Sequence, residues 1–340
     1  MYAVEGAVMN VAIGRRGAII FPLNICVDGY ENGCTYRFVT HIHSDHTIDL
    51  DKSIVFSELL IGTPITIDLL KVMGFNIPKQ KAVPLDYYQS LDLDTNEFAK
   101  LTVYRSDHVP GSCQVVLEMK NCRIGYTGDF RNPGIKTDIL KDLDILVIDA
   151  TYGDPSYVRE SEENIMNEFV KLLRKLLVEQ PVAIYAYHGK INDVMMKLRA
   201  WGIDTPFILP RNQWNIYMVL KKYGFDVDEV YLENSREAEE IKKSRWYIEF
   251  NLASKFTYMK RRSGLAHILV TGRYGKTVIG RGNVWIVGLS GHADFKELVY
   301  YVKEARPKIL IVDGYRSLYA HAFSSYINQN LKIKSIVMPF

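Results

Sequence analysis

Six consecutive residues, His41-Ile42-His43-Ser44-Asp45-His46, hold three imidazoles and a carboxylate. Nitrogen and oxygen donors this dense suit Zn²⁺ among the first-row metals, with Mn²⁺ as an alternative. The preceding segment, Tyr36 to Thr40, reads as a strand, so His41 and His43, at i and i+2, leave its end on one side. Asp45 and His46 then turn the chain and add two donors. A pair of metals needs more ligands and a shared carboxylate. Two later segments offer them: Ser106-Asp107-His108, after the strand Leu101 to Arg105, and Thr127-Gly128-Asp129, closing a hairpin. Each alone is a weak signal; in order, after the histidine cluster, they form a set.

The elements that must position these residues can be read from the apolar pattern. Thr63-Pro64 opens a helix, an N-cap residue followed by proline at the first helical position. Gln114 to Met119 and Arg123 to Tyr126 make a hairpin turning at Lys120-Asn121, and Leu143 to Asp149 is an apolar run of buried-strand type. From Ser161 the character changes. Ser161 caps an amphipathic helix, Glu162 to Glu179, with Glu162 and Glu163 at its positive end. Strand-then-helix units follow: Val182 to Tyr187 with a helix ending near Gly202, and Phe207 to Leu209 with one ending near Gly224. Strands return at His267 to Val270 and Val284 to Val287, and two more β-α steps close the chain. This alternation predicts an α/β fold with parallel sheet. The residues fit for chemistry sit where a strand ends, the usual address of an α/β site.

Composition sets the outer bounds. The chain has 340 residues, enough for two domains. It is 48% hydrophobic and 24% charged, ordinary for a globular enzyme, and its net charge of +3 does not by itself announce a polyanion partner. Cys26, Cys34, Cys113 and Cys122 lack a C-x-x-C spacing and read as small buried thiols in a reducing cytosol. No leader pattern opens the sequence, and no stretch reaches the roughly 20 apolar residues of a membrane span. The expected location is cytoplasmic, without a membrane partner; a homo-oligomer is compatible with the sequence.

The ordered motifs resemble the metallo-β-lactamase superfamily: Asp28 in Cys26-Val27-Asp28-Gly29, the cluster His41 to His46, His108 and Asp129. Asp149-Ala150-Thr151-Tyr152-Gly153 and Ser290-Gly291-His292-Ala293-Asp294 narrow the likeness to the β-CASP nucleases, across almost the whole chain. The resemblance implies an αββα sandwich from 1–160 and 282–340, with a β-CASP α/β domain inserted at 161–281. It implies one zinc on His41, His43, His108 and Asp129, and a second on Asp45, His46 and the bridging Asp129. Asp28 would hold a ligand histidine from behind. Bound metals acidify water toward a pKa of about 7 and so supply a nucleophile. His292, oriented by Asp149, would protonate the departing oxygen. Asp45, Asp129, Asp149 and His292 are thus the expected catalytic group.

One position departs from the family pattern. RNA-processing β-CASP enzymes complete the second zinc site with a histidine in a His-Gly pattern, where this chain reads Val312-Asp313-Gly314-Tyr315-Arg316. Asp313 could serve as a ligand, leave the second site weak, or cap a turn.

The basic residues Lys242, Lys243, Arg245, Lys260, Arg261 and Arg262, interleaved with aromatics, are candidates for substrate phosphates. The alternative is a solvated charged face with Trp246 and Tyr258 in the core. His267 reads as structural; His188 and His321 are open. Tyr126 to Arg131, His108 to Ser112 and Asp149 to Tyr157 resemble the Artemis-type DNA-repair branch. Tyr185 to Lys190 looks more like the ligase-associated exonucleases, and Asp313 to Arg316 echoes RNase J. The leading expectation is a 5′-to-3′ DNA exonuclease in repair or processing. Rivals are an RNA nuclease of RNase J or cleavage-factor type, a non-cleaving nucleic-acid-binding subunit, and a small-molecule metallohydrolase.

Overall fold

Short apolar strands with alternating faces build the first half of the molecule. The computed structural model describes residues 3–4, 7–8, 11–95, 97–274 and 277–339. The chain divides into two compact units, one formed by Met1–Val158 with His292–Phe340 and the other by Arg159–Gly291.

In the first unit a six-stranded sheet runs in the order Ala12–Ile13, Ile19–Phe21, Ile25–Val27, Tyr36–Phe38, Leu59–Gly62, Ala82–Pro84. A seven-stranded sheet is ordered Lys334–Met338, Ile309–Asp313, Ile145–Ile148, Cys122–Tyr126, Cys113–Met119, Ala99–Arg105, Ser90–Asp92. Strand periodicity assigns the layers: Val115 and Leu117 point into a core shared with Ile25, Val27 and Phe38 of the other sheet. Val116, between them, faces the opposite way, toward Phe295, Leu298 and Val302 of the helix Phe295–Ala305. The helix Pro64–Val72 flanks the six-stranded sheet, capped by Thr63 with Pro64 at its first position. The unit is an αββα sandwich.

The second unit is a seven-stranded sheet in which Val230–Leu232, Phe207–Leu209, Ile248–Leu252, Val182–Ala186, Ala266–Val270 and Val284–Val287 run parallel; Val278–Arg281 is antiparallel at one edge. Its first helix, Glu162–Glu179, has Ser161 accepting the Asn164 N–H and buries Ile165, Phe169, Leu172, Leu173 and Leu176 on one stripe. Because Val284–Val287 pairs with Ala266–Val270, this unit runs on to Gly291 rather than closing at 281.

The cysteine reading needs correcting. Cys26 and Cys34 are joined as a disulfide, with Cα atoms 5.8 Å apart. The cause is topological: the strands Ile25–Val27 and Tyr36–Phe38 pair in parallel, so the connection must double back and brings the two cysteines together. Cys113 and Cys122 remain thiols. Among the described residues no helix is long and apolar enough to cross a membrane.

Candidate metal centre

Strand ends of the first unit deliver the site. Tyr36–Phe38 leads to the histidine cluster, Ala99–Arg105 to His108, Cys122–Tyr126 to Asp129 and Ile145–Ile148 to Asp149. Gly128, at φ +55, makes the turn that presents Asp129; a Cβ there would press on Thr40 at 3.1 Å, so the position favours glycine twice over.

His41, His43, His108 and Asp129 converge with their ligand atoms all within 4.8 Å of one another. The Nε2 atoms of His41 and His108 lie 3.5 and 3.4 Å from Asp129 Oδ2, and His108 Nε2 is 3.0 Å from His43 Nδ1. These residues fit a divalent metal. The Nε2 atoms of His41 and His46 are buried, with no hydrogen-bond partner among the described residues. Burial, foremost, lowers the proton affinity of His41 and His108, which favours the neutral imidazole that ligates. Burial also opposes ionisation of Asp129, yet the charges of His46 and His292 hold its carboxyl well below the usual range.

Asp28 stands behind the cluster, fully buried and in the left-handed region at φ 52. Its Oδ2 takes His46 Nδ1 at 2.7 Å and the Thr40 hydroxyl at 2.5 Å, and its Oδ1 accepts the Thr40 N–H at 2.8 Å. Thr40 Oγ1 is also 3.0 Å from His41 Nδ1. One carboxylate therefore orients two candidate ligands, one directly and one through a hydroxyl. Arg37, fully buried beneath, gives a 2.9 Å hydrogen bond from Nη2 to the His46 carbonyl, and burial pulls its guanidinium down to about 10.

The second set is arranged differently. His46 Nε2 sits 3.3 Å from Asp129 Oδ1 and 3.4 Å from Asp45 Oδ2. Burial works against a charge on His46, but Asp129, Asp28 and Asp45 outweigh it and raise its proton affinity well above normal. This is a field that answers to a cation. Asp313, however, is committed elsewhere. Its Oδ1 accepts the N–H groups of Tyr315 and Arg316, and its Oδ2 takes Arg316 Nη1 at 2.8 Å. Arg316 also binds the carbonyls of Gly17, Asp28 and Asp45 at 2.8, 2.6 and 2.9 Å. The pair is buried, so Arg316→Ala should strand a carboxylate and cost roughly 3–5 kcal/mol, read by chemical unfolding. Asp313→Asn should leave the metal content unchanged; a lost equivalent would make Asp313 a ligand after all.

Beside the cluster, His292 Nδ1 lies 3.2 Å from Asp149 Oδ2 and 3.7 Å from Asp129 Oδ2, and its ring meets that of His108 edge-on at 4.7 Å. Asp149 is buried, and its Oδ1 is occupied by Thr151 N, Thr151 Oγ1 and Ser317 Oγ. The other oxygen is left to face His292. The His292 side chain is 25% exposed.

Sequence reading missed Thr40, Ser317 and Arg316 as supporting residues. Thr40 had a local signal, the position just before the first histidine, and Arg316 had Asp313 three residues before it; Ser317 acts on Asp149, far away in the chain, and had none. Of the basic candidates, Lys242 and Lys243 pair with Glu239 and Glu240 at 2.8 and 2.7 Å, and Arg262 pairs with Glu249 at 2.6 Å. Arg245 caps the helix Arg236–Ser244, and Lys260 lies over the Phe256 ring. Arg261 is exposed. Trp246 and Tyr258, offered as core residues, are both exposed. His267 is buried between Tyr185 Oη and the Arg262 carbonyl, as a structural histidine. His188 lies against Gln213, and His321 is exposed.

No family model matches the chain. It is 40% identical over 129 residues to an uncharacterized protein encoded in the lig 3′ region of Acidianus ambivalens, covering 38% of this chain and 91% of that one. It is 25% identical over 309 residues to the DNA cross-link repair protein SNM1 of Arabidopsis thaliana, covering 83% of this chain and 61% of the relative. It is also 25% identical over 310 residues to the 5′ exonuclease Apollo of Gallus gallus, covering 86% and 62%. The chain thus spans about three fifths of the length of these two named relatives. A solved structure of a protein of unknown function from Enterococcus faecalis V583 superposes with a TM-score of 0.62, over 90% of this chain and 79% of that one, at 14% identity. That likeness concerns the fold.

Proposed function

The chain belongs to the β-CASP nuclease family of the metallo-β-lactamase superfamily, and from that premise we propose that it is a zinc-dependent DNA exonuclease acting from the 5′ end. The observation that carries the phosphodiesterase part of this reading is His292, held by Asp149 beside the candidate metal ligands; its DNA and 5′-end parts are supported by the likeness to SNM1 and Apollo. Hydrolysis of a small thiolester or lactam gives such a pair no role.

His41, His43, His108 and Asp129 would hold the first metal, and Asp45 and His46 with Asp129 the second. When bound, such metals supply Lewis acidity and acidify water. The residues of the chain do the rest. Asp28 and Thr40 fix the imidazole orientations. Asp149 accepts the proton on His292 Nδ1 as a hydrogen bond, so Nε2 is the atom that can hand a proton to the departing ester oxygen. Water adds to phosphorus and gives up one proton to solvent, the ester P–O bond breaks, and the proton from Nε2 completes the leaving hydroxyl. The second unit is taken as the β-CASP insertion, and repair or end-processing of DNA as the setting.

Matched end-labelled DNA and RNA strands, with 5′-phosphate or 5′-hydroxyl ends and with or without chelator, test the reading. Expected is chelator-sensitive release of nucleotides from the DNA 5′ end. Cleavage of RNA alone, or at internal positions, would overturn the substrate or the exonuclease part respectively.

A further inference from the structure

We propose that the first unit seats one nucleobase of the substrate strand in a hollow beside the candidate metal ligands, between the loop after Asp129 and the helix after His292. The proposal rests on the nuclease reading and adds a base subsite to it. The hollow has a volume of about 360 Å³, within the range of small-ligand pockets. One wall is the segment 132–135, and the other is Lys296, Glu297 and Tyr300 of the helix Phe295–Ala305.

Both walls continue segments that carry the site. Asn132 follows Asp129 by three residues, and Lys296 follows His292 by four. The two segments are also bonded to each other. The Ala293 N–H donates to the Phe130 carbonyl, and the Asn132 N–H gives Glu297 Oε1 a 2.8 Å hydrogen bond. Three residues of chain span at most about 11 Å, which is about three nucleotide steps at roughly 3.4 Å each. A strand with a phosphate at His41, His108 and Asp129 can thus bring a nearby base to the hollow.

The lining suits a flat ring joined to a phosphate. The helix turns Phe295, Leu298, Tyr301 and Val302 into the core, which leaves Lys296 and Tyr300, one turn apart, on its outer face. Tyr300 is 46% exposed, and Ile135 on the facing wall is 84% exposed. Exposed apolar groups gathered at one hollow mark a binding site, as scattered ones do not. Gly134, at φ +77, lets the ring lie against the loop, since a Cβ there would meet Tyr300 Oη at 3.1 Å. Glu297, the carboxylate of the lining, is turned inward: Oε1 accepts from Asn132, and Oε2 accepts the Asp294 N–H at 3.0 Å. Lys296 and Lys136 are exposed at the edges, while Glu304 and Lys303 stand exposed about one turn beyond Tyr300. An aromatic face with cations beside it is the pattern that stacks a base and holds its phosphate.

The test is fluorescence anisotropy with a single DNA strand labelled at its 3′ end and carrying phosphorothioate linkages to slow cleavage. A matched series places one abasic residue at each position near the 5′ end in turn. Tyr300→Ala should weaken binding of the intact strand about tenfold by lost stacking, and Tyr300→Phe should change it less than about twofold. At one position the abasic residue should weaken wild-type binding by a similar factor and cost the Tyr300→Ala variant nothing further. A Tyr300→Ala loss that persists undiminished on every abasic strand, or a negligible loss on the intact one, would give the hollow to another occupant and overturn the proposal. Circular dichroism checks the fold of each variant. Ile135→Ser, on the facing loop, should couple to the same abasic position, and coupling to none would overturn the proposal independently of Tyr300. Metal-dependent cleavage of the unmodified strand by the wild-type protein is assayed in parallel. Base-coupled binding without any cleavage would sink the nuclease reading and keep the subsite. Cleavage without the coupling would do the reverse.

Discussion

Asp129→Asn is expected to reduce strand cleavage to the level seen with chelator and to release metal, while the αββα fold remains. Its Oδ2 faces His41 and His108 and its Oδ1 faces His46, so it is the residue common to both candidate ligand sets. Asn keeps the shape and removes the charge. The three imidazoles around it would then face a neutral amide, and a divalent ion would lose the anion it shares with them. Metal analysis by mass spectrometry, with circular dichroism as the fold control, checks the expectation. Wild-type activity in the variant would refute the ligand assignment.

His292→Ala should behave differently. General-acid assistance is worth about 10²–10⁴ in rate, so kcat should fall by that factor while the metal stays bound. The size of the loss should depend on the leaving group. A natural strand expels an alkoxide that needs a proton, whereas a p-nitrophenyl diester expels a stable phenolate. The variant should therefore be nearly unimpaired on the p-nitrophenyl diester. An equal loss on both substrates would remove His292 from the acid role, and loss of metal would make it a ligand.

Much of this was legible in the chain because the signals are local. Ser161 with Glu162–Glu179, Thr63 with Pro64, and the strands Phe207–Leu209 and Val284–Val287 depend on caps and periodicity within a few residues. The final strand, Lys334–Met338, was not legible; Lys332, Lys334 and Ser335 break up the apolar run at its start, and its pairing partner Ile309–Asp313 lies well upstream. The candidate ligands could be listed from the sequence because strand ends present them in order. What those ligands rest on could not. The Cys26–Cys34 bond and the Arg316 bonds to Gly17, Asp28 and Asp45 are set by how distant strands stack. Charge partners were only partly legible: Lys242, Lys243 and Arg262 pair with Glu239, Glu240 and Glu249, while Arg261 stands exposed.

The three donors gathered on Asp149 Oδ1 bear on how a general acid at His292 would reset. With that oxygen engaged and Oδ2 facing His292 Nδ1, the carboxylate is held in one orientation behind the imidazole. A proton spent from Nε2 would be replaced through the quarter of the side chain that is exposed. While product covers that face the acid cannot be recharged. Departure of the cleaved nucleotide and rearming of His292 would then be a single kinetic event, and buffer able to ferry protons should speed successive turnovers without affecting the first.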